Sequence, residues 1–212
     1  MTEVRRDDYA SMSARARALL EAGNSQDEVL RGCYGVPFPD ETFAMAELIA
    51  EDKEPGNGLY TNRPWKLLIP LDRGGPPAEP TPLIDGDEKR VFGLDSSLVP
   101  LMVLYGEYYE YGGVMLCYRL EELEARRSTI FGFQSDLSDG AVAKRYGDSL
   151  AAVLHASFAD SVRRLEKEYA SPNNRGAGSL DKFELDGERK NLACVDELIR
   201  RVAERKRPKL VP

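Results

Sequence analysis

The 212-residue chain predicts an α+β fold: N-terminal helices, a mainly antiparallel sheet, a long helix packed on it and a C-terminal helix. Three observations predict it. Apolar residues recur at helical spacing over the first fifty positions and again over 148–169 and 188–205. Between those stretches, short runs rich in Val, Leu and Tyr are separated by glycine and proline. The two element types come in blocks and do not alternate, which separates this pattern from the βαβ repeat of parallel sheets.

The first helix is expected over 2–22, where Tyr9, Met12, Ala16, Leu19 and Leu20 share a face and Gly23 is a stop. Ser25-Gln26-Asp27-Glu28 has the capping-box pattern, so a short second helix starts there and ends before Gly32. Two prolines in Gly35-Val36-Pro37-Phe38-Pro39-Asp40 prevent regular helix, and Asp40 is a candidate N-cap for a third helix over 41–51. Phe43, Ala46, Ile49 and Ala50 are the inward residues expected of it.

Strands are expected over 65–71, 91–94, 98–105, 114–120 and 128–133. Gly112-Gly113 suggests a tight hairpin turn. The glycine- and proline-rich 72–82 reads as a loop, Asp85-Gly86-Asp87-Glu88 as a turn, and 120–126 as one or two helical turns. The clearest helix is 148–169, with Leu150, Val153, Leu154, Ser157, Phe158, Ser161, Val162 and Leu165 in one stripe. Residues 171–179 have linker composition, and a last helix over 188–205 carries Leu192, Val195, Leu198, Ile199 and Val202. The expected organisation is an α+β domain over 1–170, with 171–212 a linker and helix packed on the same domain.

Composition bounds the function. Hydrophobic residues make up 42% and charged residues 31%, which excludes global disorder. The formal net charge of −7 argues against binding nucleic acid or an anionic membrane, because both need Lys and Arg to meet phosphate. No apolar run approaches the roughly 20 residues that span a bilayer. The charged start Met1-Thr2-Glu3-Val4-Arg5-Arg6 is unlike a signal peptide. Cys33, Cys117 and Cys194 are too few and too scattered for a disulfide framework. A cytoplasmic location follows as the expectation.

No catalytic, metal or cofactor constellation stands out. His155 is the single histidine and sits inside the long helix, which suits the edge of a core better than a catalytic base. The three cysteines and one histidine lack zinc-ligand spacing. Glu107 and Glu110 are candidate paired carboxylates for a hydrolase, although such pairs arise by chance in an acidic chain. The more unusual feature is Glu107-Tyr108-Tyr109-Glu110-Tyr111 beside a glycine pair. Tyrosine supplies contact area with few rotors, and flanking acids add a field for a basic partner. These five residues are the candidate partner-binding segment.

Two phrases resemble the SUKH superfamily, the group of the fungal cell-wall assembly regulator and of many bacterial immunity proteins. One is Gly35-Val36-Pro37-Phe38-Pro39-Asp40 followed by Phe43; the other is Leu154-His155-Ala156-Ser157-Phe158-Ala159-Asp160-Ser161. The Gly-Asp phrase often found mid-sheet is not evident, and the proline-rich loop looks like an insertion. The resemblance implies a non-catalytic binding fold without a universal active site. In bacteria it implies neutralisation of a cognate toxin by direct contact; the acidic chain suits a basic toxin domain as that partner. A carboxylate-dependent hydrolase and a regulatory adaptor unrelated to toxins are the alternatives.

Overall fold

The computed structural model describes residues 7–56, 58–105, 113–134, 141–170 and 179–206. Among them, seven α-helices surround a five-stranded antiparallel sheet, as the sequence predicts for an α+β chain. The first helix, α1 (Tyr9–Glu21), begins at Asp8, whose carboxylate accepts the N–H groups of Ala10 and Ser11. In α2 (Gln26–Tyr34) the expected capping box is complete: the Ser25 N–H donates to Glu28 at 2.7 Å and the Glu28 N–H donates back to Ser25. It ends at Gly35, which takes a left-handed φ of 81°.

In α3 (Asp40–Ala50), Asp40 is the first helical residue and not the cap. Pro39 takes the cap position without a side-chain bond, and the acids of the first turn suit the positive end of the helix dipole. Phe43 and Ala46 face inward as expected, but so do Ala44, Met45 and Leu48, while Ala50 is exposed.

The sheet has the simple order β1 (Gly58–Tyr60), β2 (Leu98–Leu104), β3 (Val114–Arg119), β4 (Ile130–Gln134) and β5 (Lys144–Gly147). Every residue of the central β2 is buried. Its side chains serve two cores, and a bulge explains how. The register slips between Pro100 and Met102, so Val99, Leu101, Met102 and Leu104 all join the main core, while Leu98 and Val103 point to the other face. Proline is tolerated in this central strand because it sits at the bulge, where the ladder is interrupted.

Two expected strands are helical instead. Residues 65–71 form two 3-10 turns, Trp65–Leu68 and Leu71–Arg73, because Pro64 and Pro70 punctuate the run. The Trp65 indole N–H donates to the Leu101 carbonyl at 2.6 Å, tying this turn to β2. The expected strand at 91–94 and the expected turn at Asp85–Glu88 both belong to one helix, α4 (Pro82–Leu94). Pro82 occupies its first turn, where the missing N–H costs nothing. The inward residues of α4 include Asp85 and Glu88 as well as Val91, so its buried face is partly charged and its apolar stripe is broken.

After the short α5 (Leu120–Glu124) and β4–β5, α6 (Leu150–Tyr169) carries the expected stripe inward, with Phe158 only 2% exposed. It lies most extensively against α7 (Ser179–Arg205), and it reaches β5 at Gly147, where an added Cβ would clash with Val153. The expected linker, except for Ser179, and the Gly112 half of the expected turn lie outside the described residues, as do positions 2–6 of the expected first helix. No helix among the described residues is long and apolar enough to cross a membrane.

Candidate functional site

Four sequence-distant segments meet at one end of the sheet and leave a cleft of about 300 Å³. Pro39, Asp40 and Glu41 come from the start of α3. Ser149, Ala151 and Ala152 come from the start of α6, Ile199, Val202 and Lys206 from the end of α7, and Ser128 precedes β4.

Glu41 organises the site. Its carboxylate leaves its own helix and accepts the N–H of Leu150 at 3.0 Å and of Ala151 at 3.2 Å, the first two residues of α6. Ser149 accepts the next N–H, from Ala152, at 3.1 Å. Three donors that a helix start leaves free are thus satisfied, two of them by a side chain from another helix. The Tyr118 hydroxyl, fully buried on β3, donates to Glu41 at 2.8 Å. Burial pushes the Glu41 carboxyl above its ordinary range, while these hydrogen bonds and the Lys206 charge oppose the shift.

Ion pairs hold the far wall in place. Arg201 forms a bidentate pair with Glu51 at 3.0 and 2.9 Å, and Arg205 pairs with Glu47, so the last turns of α7 are fastened to α3. Ile199, on the same turns, keeps 43% of its surface exposed at the cleft. Each Glu41 oxygen already serves an N–H or hydroxyl donor, so the carboxylate is committed to joining α3, α6 and β3. The arrangement suits recognition: an apolar wall with polar groups at its mouth.

A second polar cluster lies elsewhere. Arg63 is fully buried, and its guanidinium donates to Glu88 at 2.8 and 3.2 Å and to Asp85 at 3.4 Å. Its backbone N–H also donates to Glu88, and the rings of Tyr9 and Phe92 lie 5.6 and 4.9 Å from the guanidinium carbon. Asn62 bridges to Thr81, the cap of α4. The bonds run between the 61–64 segment and α4, which gives the cluster a structural role.

The sequence-predicted residues fare differently. Glu107, Tyr108, Tyr109, Glu110 and Tyr111 lie outside the described residues. The strand ends that flank them, Leu104 and Val114, pair at the end of the sheet opposite to the cleft, where Ile130 pairs with Gly147. His155 is on α6 one turn beyond Ala152, with Nε2 3.7 Å from Asp196 on α7 and nearly half of its side chain exposed. No group of three His, Cys, Asp or Glu side chains that could hold a metal occurs among the described residues. The cleft was not foreseen, since each contributing segment is locally unremarkable; Asp40-Glu41 reads as an ordinary acidic helix start.

Fold and site thus define a helix-wrapped antiparallel-sheet protein with a small, partly apolar cleft at one sheet end. Comparison with known proteins found no matching family model, no matching curated protein and no matching solved structure.

Proposed function

We propose that the chain is a non-catalytic binding module of immunity type, which neutralises a cognate toxin by direct contact. The observation that carries this reading is the cleft, where an exposed apolar wall at Ile199 stands over a carboxylate committed to the fold. Exposed apolar surface in a recess favours a partner that brings its own side chain, because burying it removes apolar area from water. The SUKH resemblance of Gly35–Asp40 and Leu154–Ser161 supports the immunity assignment. In this reading the tyrosine- and acid-rich segment 107–111 gives a second contact zone, suited to a basic toxin domain.

The test is co-expression with the product of the adjacent upstream gene. Immunity predicts that the chain rescues growth of cells making that product and co-purifies with it in fixed stoichiometry. Growth arrest with no complex would overturn the toxin reading. A stable complex with a partner that is harmless alone would favour a regulatory adaptor.

A further inference from the structure

We infer that residues 207–212 of this chain fill the cleft between α3, α6 and α7, seating Leu210 and Val211 on its apolar wall. This goes beyond the binding-module reading, because it gives the cleft an occupant that belongs to the molecule itself. A partner side chain entering the cleft would have to displace it.

Position is the first argument. Arg201 pairs with Glu51, Arg205 pairs with Glu47 and lies over the Phe43 ring, and the Lys206 charge bears on Glu41. Each step toward the end of α7 is thus a step toward the start of α3, where Pro39 and Asp40 line the cleft. Lys206, the last of the described residues, is itself part of that lining. The chain that follows it therefore leaves from the rim. Extended chain spans about 3.3 Å per residue, so Leu210 lies within about 13 Å of Lys206, close enough to turn back into the cleft.

Chemistry is the second. The sequence after Lys206 is Arg207-Pro208-Lys209-Leu210-Val211-Pro212. Pro208 cannot continue α7, and it biases the residue before it toward extended backbone, which takes the chain off the helix axis. Leu210-Val211-Pro212 is an apolar triplet. The cleft offers it Pro39, Ala151, Ala152, Ile199 and Val202, and Ile199 keeps 43% of its surface exposed among the described residues. Bringing the two together removes apolar surface of both from water. A volume of about 300 Å³, at the lower end of ligand sites, suits one or two aliphatic side chains. Arg207 and Lys209 need no partner in the cleft and keep their charges in solvent.

Tethering is the third. A short covalent link presents the triplet at an effective concentration on the order of millimolar, so a modest contact suffices. Pro208 and Pro212 reduce the freedom lost on docking.

The test compares the full chain with a version that stops at Lys206. In the full chain, nuclear Overhauser contacts should join the Leu210 methyl groups to those of Ala151 and Val202, and should not change on dilution. Removing 207–212 should shift the amides of Ala151 and Ala152, which are remote in sequence from the cut, and leave Val99 and Leu116 in the core unmoved. A synthetic 207–212 peptide added to the shortened chain should restore those shifts with one saturable isotherm. Leu210→Ser in the peptide should weaken its binding about ten-fold, the size of one buried aliphatic side chain. Arg207→Ser with Lys209→Ser should change it little. Ile199→Ser in the shortened chain should weaken the parent peptide, and the core amides report that this exposed-site variant keeps its fold. Missing Leu210 contacts, unmoved Ala151 and Ala152 amides, peptide binding indifferent to Leu210→Ser or Ile199→Ser, or binding lost with the two basic residues would each overturn the inference. Contacts that fade on dilution would assign the cleft to the same segment of a second copy and overturn it too. No partner enters these measurements, so their failure removes the self-occupied cleft alone, while co-expression decides the binding-module reading separately.

Discussion

The carboxylate of Glu41 on α3 accepts the backbone N–H of Leu150, the first residue of α6, at 3.0 Å across 109 positions of the chain. A helix start is thereby capped by a residue from a different helix, and that bond holds the floor of the cleft.

Glu41 makes stability depend on pH in a specific sense. Burial raises its pKa above the ordinary 4.5, so the folded state holds that proton more tightly than the unfolded chain does. The associated stabilisation is complete below the ordinary carboxyl range and is lost as pH rises through the folded pKa. The stability of the parent relative to Glu41→Gln should therefore fall as pH rises above the ordinary carboxyl value of 4.5, by at most about 1.4 kcal/mol per pH unit. Urea unfolding of both proteins across that range checks it; a parent-minus-variant difference that rises with pH would reverse the sign.

The Arg63–Glu88 pair should be costly to break and cheap to replace. Glu88→Ala takes from a fully buried guanidinium the carboxylate it pairs with at 2.8 Å, while Asp85 stands at 3.4 Å, and should destabilise by about 3–5 kcal/mol. Replacing both residues with apolar ones, Arg63→Met with Glu88→Leu, should recover most of that loss. Guanidinium chloride midpoints of the single and double variants decide it, and strict additivity would show that the two side chains do not act as a pair.

Phe158 and His155 lie three positions apart on α6 and should behave oppositely. Phe158→Ala empties a core position and should cost about 3–5 kcal/mol, read as a lower melting temperature. His155→Gln, at an exposed position, should change stability by less than about 0.5 kcal/mol and leave the proposed neutralisation of a partner intact. A loss of neutralisation by orders of magnitude in a folded His155→Gln would assign that residue a chemical role.

The segment 107–111 is tested by kinetics once a partner is in hand. Tyr108→Ala or Tyr109→Ala should speed dissociation, since truncating an interface anchor costs about 2 kcal/mol or more. Glu107→Gln with Glu110→Gln should slow association at low salt and have little effect at high salt, because steering by exposed charge is screened. Parent-like rates in all variants at both salt concentrations would place the interface elsewhere.

Much of the fold was legible because local chemistry and global packing agree. Ser25 and Glu28 form the capping box their spacing implies, and the Leu150–Leu165 stripe is the buried face of α6. The α4 helix was missed because two of its inward positions are Asp85 and Glu88, which remove the apolar period that marks a helix in sequence. The two 3-10 turns stand where the sequence predicts a strand over 65–71, because four apolar residues between prolines carry no period of their own. The cleft was invisible for another reason: Glu41, Ala151 and Ile199 become neighbours only through tertiary packing.

Arg63 shapes how the molecule breathes. Its bonds join the 61–64 segment to α4, and opening either one alone would strand a charge away from water. These two stretches, some twenty residues apart in the chain, therefore open as one cooperative unit. Their amides should exchange hydrogen together and more slowly than the exposed surface of α4 would suggest, so a helix whose buried face is partly charged is secured kinetically by a single buried guanidinium.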